Sequence, residues 1–373
     1  MLRRFTVPRC FPGLVGRCLV LLFLALSPCL ANAGEPLRAA GAIRLPGVAG
    51  RLDHLAFDVR SGRLFVAALE NQSVEVLDLT RQRHLHQITG IREPQGLLYV
   101  PGANRLLVCS RGDGTCRSFD ATTFTEGPWL DVGRNADNLR YDPDSRLVFI
   151  GSAGEPGNGL LTAVDFSAFL PVASGGQAAP PHSPADFLLD RPRQAEPRME
   201  IPLSSHPESL QWDAARRRLY VNVPDEHHIS VLQVGTNVVE KVADWPVTVG
   251  EKNFPMVLDS AANRLFIACR KPARLAVYDL QSGALQGQVP CVGDADDLSF
   301  DTRLQRVYVI GGEGFVDVFQ MNSGNPGPTL LARLPTLPRA RTGLFLPELE
   351  LLAVAVPHTT NGPAAVRLYH TQK

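Results

Sequence analysis

The chain has 373 residues, with 37 Lys and Arg against 37 Asp and Glu, so its formal charge is zero; aromatic residues make up only 7%. Duplex binders carry a basic stripe that neutralises phosphates, and single-strand binders carry aromatic platforms for the bases. Neither feature is present, and no nucleic-acid partner is expected.

The first element is a leader. Arg3, Arg4, Arg9 and Arg17 precede an apolar run from Cys18 to Leu26, and Ala31-Asn32-Ala33 supplies the small-x-small pattern that signal peptidase cuts. Cleavage is expected after Ala33, making residues 1–33 a signal peptide and the mature chain periplasmic or secreted. The apolar run falls short of the ~20 residues that span a bilayer, and no later run is long enough, so no membrane span should remain after cleavage. Loss of the basic leader leaves a slightly acidic chain, expected to be a monomer. Of seven cysteines, Cys10, Cys18 and Cys29 leave with the leader. Cys109, Cys116, Cys269 and Cys291 remain in an oxidising compartment. Cys109 and Cys116 flank the turn Ser110 to Thr115, and a disulfide is expected between them; burial as two thiols is the alternative.

From residue 41 the chain repeats. Gly41 to Val48 reads as a lone strand, and seven units follow. Each unit has an apolar strand ending in Asp or Pro, a turn, then Arg-Leu-Phe-Val or a variant, then a Val-x-Val-x-Asp strand and a looser fourth strand. The first strands align as Asp53–Asp58, Gln95–Val100, Asp137–Asp142, Glu208–Asp213, Phe254–Asp259, Asp296–Asp301 and Arg341–Leu346. The step from Asp53 to Gln95, from Gln95 to Asp137 and from Phe254 to Asp296 is 42 residues each time. Four short strands at this period predict an all-β, seven-bladed β-propeller over residues 34–373, since each blade buries little alone and must pack against neighbours around an axis. The seventh unit lacks a fourth strand. Placing Gly41–Val48 on the last blade would close the ring and cover an open edge. Between Asp137 and Glu208 the step grows to 71 residues, so blade three carries an insertion, roughly 167–197, rich in Pro, Ala, Gly and Arg and expected to be a solvated surface loop.

These units resemble the YVTN-repeat, YncE-like β-propellers over Ala40–Thr371. The resemblance rests on Asp53-His54-Leu55-Ala56-Phe57-Asp58, Glu93-Pro94-Gln95-Gly96, Ala136-Asp137-Asn138-Leu139-Arg140-Tyr141-Asp142, His206-Pro207-Glu208-Ser209, Asn253-Phe254-Pro255-Met256, Gly293-Asp294-Ala295-Asp296-Asp297-Leu298 and Gly312-Glu313-Gly314-Phe315-Val316-Asp317-Val318-Phe319. It implies the fold and supplies no catalytic residues. The architecture is also similar to lactonase-type propellers.

Propeller geometry then places the chemistry. Strand one lines the channel, and the loops leading into strand one and joining strands two and three open on one face. The first set of loops brings His54, Glu93, Gln95, Asp137, Asn138, His206, Glu208, Asn253, Asp294, Asp296, Asp297 and Arg341 to a common mouth. The second adds Arg270, Glu313 and His358. Turn chemistry accounts for Asp and Asn in such loops but not for His54, Gln95, His206, Glu208 or Arg341. A concave place with convergent polar groups is the makeup of a binding site. The expected function is binding of a small molecule or a periplasmic protein there, with no cofactor identified. The alternative is a lactonase-like, metal-assisted hydrolase using Asp137, Asn138, His206 and Glu208; no H-E-x-x-H spacing or G-x-S-x-G elbow accompanies them.

Overall fold

The structure is a computed structural model and describes residues 35–154, 157–171, 198–236, 238–322, 327–360 and 362–373. The expected signal peptide and residues 172–197 of the expected insertion lie outside them. The polypeptide is laid out as seven four-stranded antiparallel sheets. Their inner strands are Leu55–Asp58, Pro94–Val100, Leu139–Asp142, Leu210–Asp213, Glu251–Asp259, Ala295–Asp301 and Gly343–Leu346, for blades one to seven. Each inner strand touches the next and the last touches the first, which makes a ring.

Two local devices recur around the ring. The Asp ending most inner strands is a turn cap: Asp58 accepts from the Arg60 amide at 3.0 Å, Asp213 from Ala215 at 3.1 Å, and Asp301 from both Arg303 and Leu304 at 2.9 Å. The residue just before each second strand is then left-handed: Gly62, Asn104, Arg146, Arg217, Asn263, Gln305 and Glu350. A positive φ turns the chain tightly enough for strand two to return antiparallel along strand one.

Second and third strands are buried on both faces, as in Leu64–Ala68 and Val74–Asp78, because blades stack face to face. This explains why they read as unbroken apolar runs. Fourth strands such as Thr329–Pro335 alternate toward solvent at the rim. Seven apolar clusters result, each built from two adjacent blades; Phe266, Ala268 and Val277 of blade five, for example, pack on Val307, Val309 and Phe319 of blade six. Truncating a wholly buried ring such as Phe266 would cost about 3–5 kcal/mol.

The ring closes as the sequence suggests, with different bounds. The closing strand is Leu37–Leu45, paired with Ala364–Thr371 on the last blade and bulged between Ala39 and Gly41. Leu37, Ile43 and Leu45 are buried by it. The strand stops at Leu45 because Pro46 lacks an amide donor and Gly47 (φ 79°) turns the chain away. The insertion also needs correction at its start. Phe166–Phe169 forms a 3-10 turn capped by Asp165, and Phe166, Ala168 and Phe169 are buried in the core between blades two and three. The aromatic side chains of Phe166 and Phe169 are large enough to be worth burying, which overrides the polar, Pro-rich composition that follows. No helix among the described residues is long and apolar enough to cross a membrane.

Candidate functional site

At the mouth, the first two residues of the aligned units form two polar tiers around the axis. The first position holds Asp53, Gln95, Asp137, Glu208, Phe254, Asp296 and Arg341; the second holds His54, Gly96, Asn138, Ser209, Pro255, Asp297 and Thr342. In blades two, five and six the inner strand reaches this level only through a bulge, between Pro94 and Leu97, Asn253 and Met256, and Ala295 and Asp297. Bulges re-aim side chains next to sites. Gly96 is required at one of them, since a Cβ there would meet the Asp137 carbonyl oxygen at 1.8 Å.

The charges organise into two hubs of opposite sign. His54 of blade one is the cationic hub. Its Nε2 lies 3.4 Å from Asp137 Oδ1 and 3.8 Å from Asp53 Oδ1, and its Nδ1 lies 3.3 Å from Asp297 Oδ1. Asn138 Nδ2 is 3.1 Å from the same Nε2. His54 thereby links blades one, three and six across the channel. Asp137 is steadied from the other side by Gln95, whose Nε2 donates at 2.7 Å. Asp296 of blade six is the anionic hub. It meets Arg270 at 2.5 Å, Arg341 Nε at 2.9 Å and Arg51 Nη2 at 3.4 Å, one guanidinium each from blades five, seven and one. Asp294 holds Arg341 and Arg270 from outside, at 3.2 and 3.3 Å, and Arg270 lies 3.9 Å over the Phe254 ring.

Protonation follows from this packing. Burial pushes the wholly buried Asp53 carboxyl up to about 7, against the opposing pull of Arg51 and His54. Burial works against the His54 imidazolium, but Asp297, Asp137 and Asp53 outweigh it and hold its pKa well above the usual value. Glu208 is held neutral well above the carboxylate range, by burial first and then by Asp137 and Asp296. Burial lowers the His206 pKa, leaving a neutral imidazole.

Several buried atoms of this network make no hydrogen bond: Arg51 Nε, both oxygens of Asp53, Gln95 Oε1, Asp137 Oδ1 and His206 Nδ1. Perturbed titratable groups gathered in a concavity are a feature of functional sites.

Other residues singled out in the sequence stand elsewhere. Asn253 is wholly buried, donating to Asn222 Oδ1 at 3.0 Å and to the His228 carbonyl at 3.2 Å. Glu313 accepts from the Gly293 amide at 2.9 Å. Glu93 is an exposed rim residue 3.9 Å from Arg111, and His358 is exposed beside the Pro46–Ala49 turn, apart from both hubs. Cys109 and Cys116 face each other as a cross-strand pair of buried thiols with sulfurs 3.1 Å apart. Cys269 and Cys291 are buried thiols as well.

Two participants were not singled out in the sequence. Arg51 lies two residues before the aligned strand, so alignment passes over it. Arg140 was legible in principle: at its register the other blades carry Ala56, Leu98, Gln211, Val257, Ser299 and Leu344, and it is the only charge.

Below the mouth the channel holds a cavity of about 390 Å³, lined from His54 to Pro347 just past the far end of blade seven's inner strand. Among the described residues, no three His, Cys, Asp or Glu side chains gather into a set able to hold a metal ion. Asp137 and Asn138 are instead turned to Gln95, His54 and Arg140.

No family model matches this chain, and no curated protein matches it in sequence. Its structure is similar to a chain of the "Crystal Structure of Mitotic Checkpoint Complex", with a TM-score of 0.68, 11% identity and 100% of both chains covered. At that identity the likeness is one of fold. In all, 1520 solved chains match, so the architecture is too widely shared to assign an activity.

Proposed function

We propose that this chain is an exported, YVTN-type β-propeller that binds a small ligand or a partner protein at the mouth of its channel. The observation that carries this reading is the set of buried polar atoms left without a hydrogen bond at the mouth: both oxygens of Asp53, Gln95 Oε1, Asp137 Oδ1 and His206 Nδ1, from four different blades. A polar group left bare at a concave surface is costly unless something outside the fold satisfies it. The slightly acidic mature chain and the lack of a basic stripe argue against nucleic acid. In an oxidising compartment, Cys109 and Cys116 would close to a disulfide across their hairpin.

The test separates binding from folding. Glu208→Ala and His206→Ala should each keep stability within about 1 kcal/mol of wild type, because neither side chain holds a core contact. Each should abolish retention of whatever co-purifies with the wild-type protein from its own host, read by native mass spectrometry. Unchanged retention in both variants at unchanged melting temperature would show that the mouth binds nothing through these groups.

A further inference from the structure

The channel cavity beneath the mouth has its own unmatched charge. Three ionisable residues line it: His54, Asp297 and Arg140. Asp297 is committed, with Oδ1 3.3 Å from His54 Nδ1 and Oδ2 accepting from the Gly343 amide at 2.9 Å. Arg140 has no such counter-ion. Its Nη1 donates to Asn138 Oδ1 at 3.1 Å and to its neighbour's carbonyl, Leu139 O, at 2.8 Å; both acceptors are neutral, and no carboxylate pairs with it among the described residues. These two bonds use one end of the guanidinium. A guanidinium partly withdrawn from water without a counter-ion is unfavourable, and pairing with an anion relieves it. Burial depresses the Arg140 pKa to about 10 in spite of Asp297 and Asp137, so the nearby carboxylates do not offset its desolvation.

The rest of the wall comes from inner strands, and polar and apolar atoms share the cavity surface about equally; Gln211 and Ser299 are its other polar side chains besides Asn138 and Ser209. Gln211 Nε2 is spent on the Met256 carbonyl at 3.0 Å, and Ser299 Oγ accepts from the Phe345 amide at 3.3 Å, which leaves its hydroxyl proton free to donate. A bare inorganic ion would gain nothing from the apolar surface. An organic acid would use both parts. The volume, about 390 Å³, falls at the small end of ligand cavities, roughly 300–1,000 Å³.

We propose that the central channel is a receptor for a small organic monoanion, a carboxylate no larger than a single aromatic ring with its acid group, paired to Arg140 and donated to by Ser299. The cavity shares His54, Asn138, Ser209 and Asp297 with the second tier of the mouth. Its anion contacts are Arg140 and Ser299, whereas the mouth reading is tested at His206 and Glu208.

Calorimetric titration of the mature chain with benzoate tests it, with benzamide as the neutral isostere. Wild type should bind benzoate saturably, one per chain, and show no saturable binding of benzamide. Arg140→Gln should weaken benzoate at least tenfold, and Arg140→Lys less, since a point charge keeps attraction but loses the guanidinium fork. Leu344→Trp fills the cavity without touching Arg140 and should also weaken benzoate at least tenfold, which decides the matter if the Arg140 variants fail to fold. No saturable benzoate binding by wild type would overturn the proposal. So would equal affinity in Arg140→Gln, benzamide binding as tightly as benzoate, or Leu344→Trp leaving affinity unchanged.

Discussion

At the scale of single residues, Asp53 shows how the mouth ties ionisation to folding. Its carboxyl titrates near 3.9 in an unfolded chain and at about 7 in this fold. Between those values the folded state holds a proton that the unfolded state lacks, so stability falls as pH rises through the window. His54 acts in the same direction above it: what a raised imidazole pKa contributes is complete below about 6.5 and is lost as pH rises through the folded value. His206, with its lowered pKa, opposes them by adding stability as pH climbs toward about 6.5. The wild-type melting temperature should therefore fall between about pH 5 and about pH 8. Asp53→Asn, which keeps the shape and deletes the titration, should flatten that fall. Scanning calorimetry across the range reads both slopes, and parallel slopes would mean that Asp53 is charged in the folded state.

At the scale of elements, the repeating turn before strand two carries the clearest local strain. All seven blades place a left-handed residue there, and only blade one uses glycine. Arg146 pays an αL cost of about 1–2 kcal/mol, and its 3.7 Å pair with Asp165 joins two largely exposed side chains, worth little. Arg146→Gly gives back part of that through the greater freedom of glycine in the unfolded chain. A net gain of roughly 0.5–1 kcal/mol is expected, read as a raised denaturant midpoint at constant slope. A lowered midpoint would show that the Arg146 side chain matters more than its backbone. These elements also mark what the sequence reveals. Blade count, strand order and closure follow from local signals that recur in register: the Asp cap, the Arg-Leu-Phe-Val start and the apolar runs. Strand bounds slip where a bulge or a turn decides, as at Leu37–Leu45. The pairing of His54 with Asp297, or of Arg51 with Asp296, depends on distances across the ring, and periodicity carries no information about them.

At the scale of the whole molecule, the ring makes one concave mouth from residues far apart in the chain. The Leu37–Leu45 strand fastens its two ends together, and the seven interblade apolar clusters are built without the charged residues of the mouth. Stability and recognition are thus assigned to different layers: apolar second and third strands hold the ring, and the loops above the inner strands present the charges. That division predicts where a partner or ligand touches the molecule in the cell. A photo-crosslinking residue placed at Glu208, and separately at the exposed rim residue Leu285, tests it in the native host. Intact mass and gel mobility report both small adducts and proteins. A discrete adduct is expected from position 208 and none from position 285; no adduct at 208, or the same adduct at both positions, would show that the mouth is not where recognition occurs.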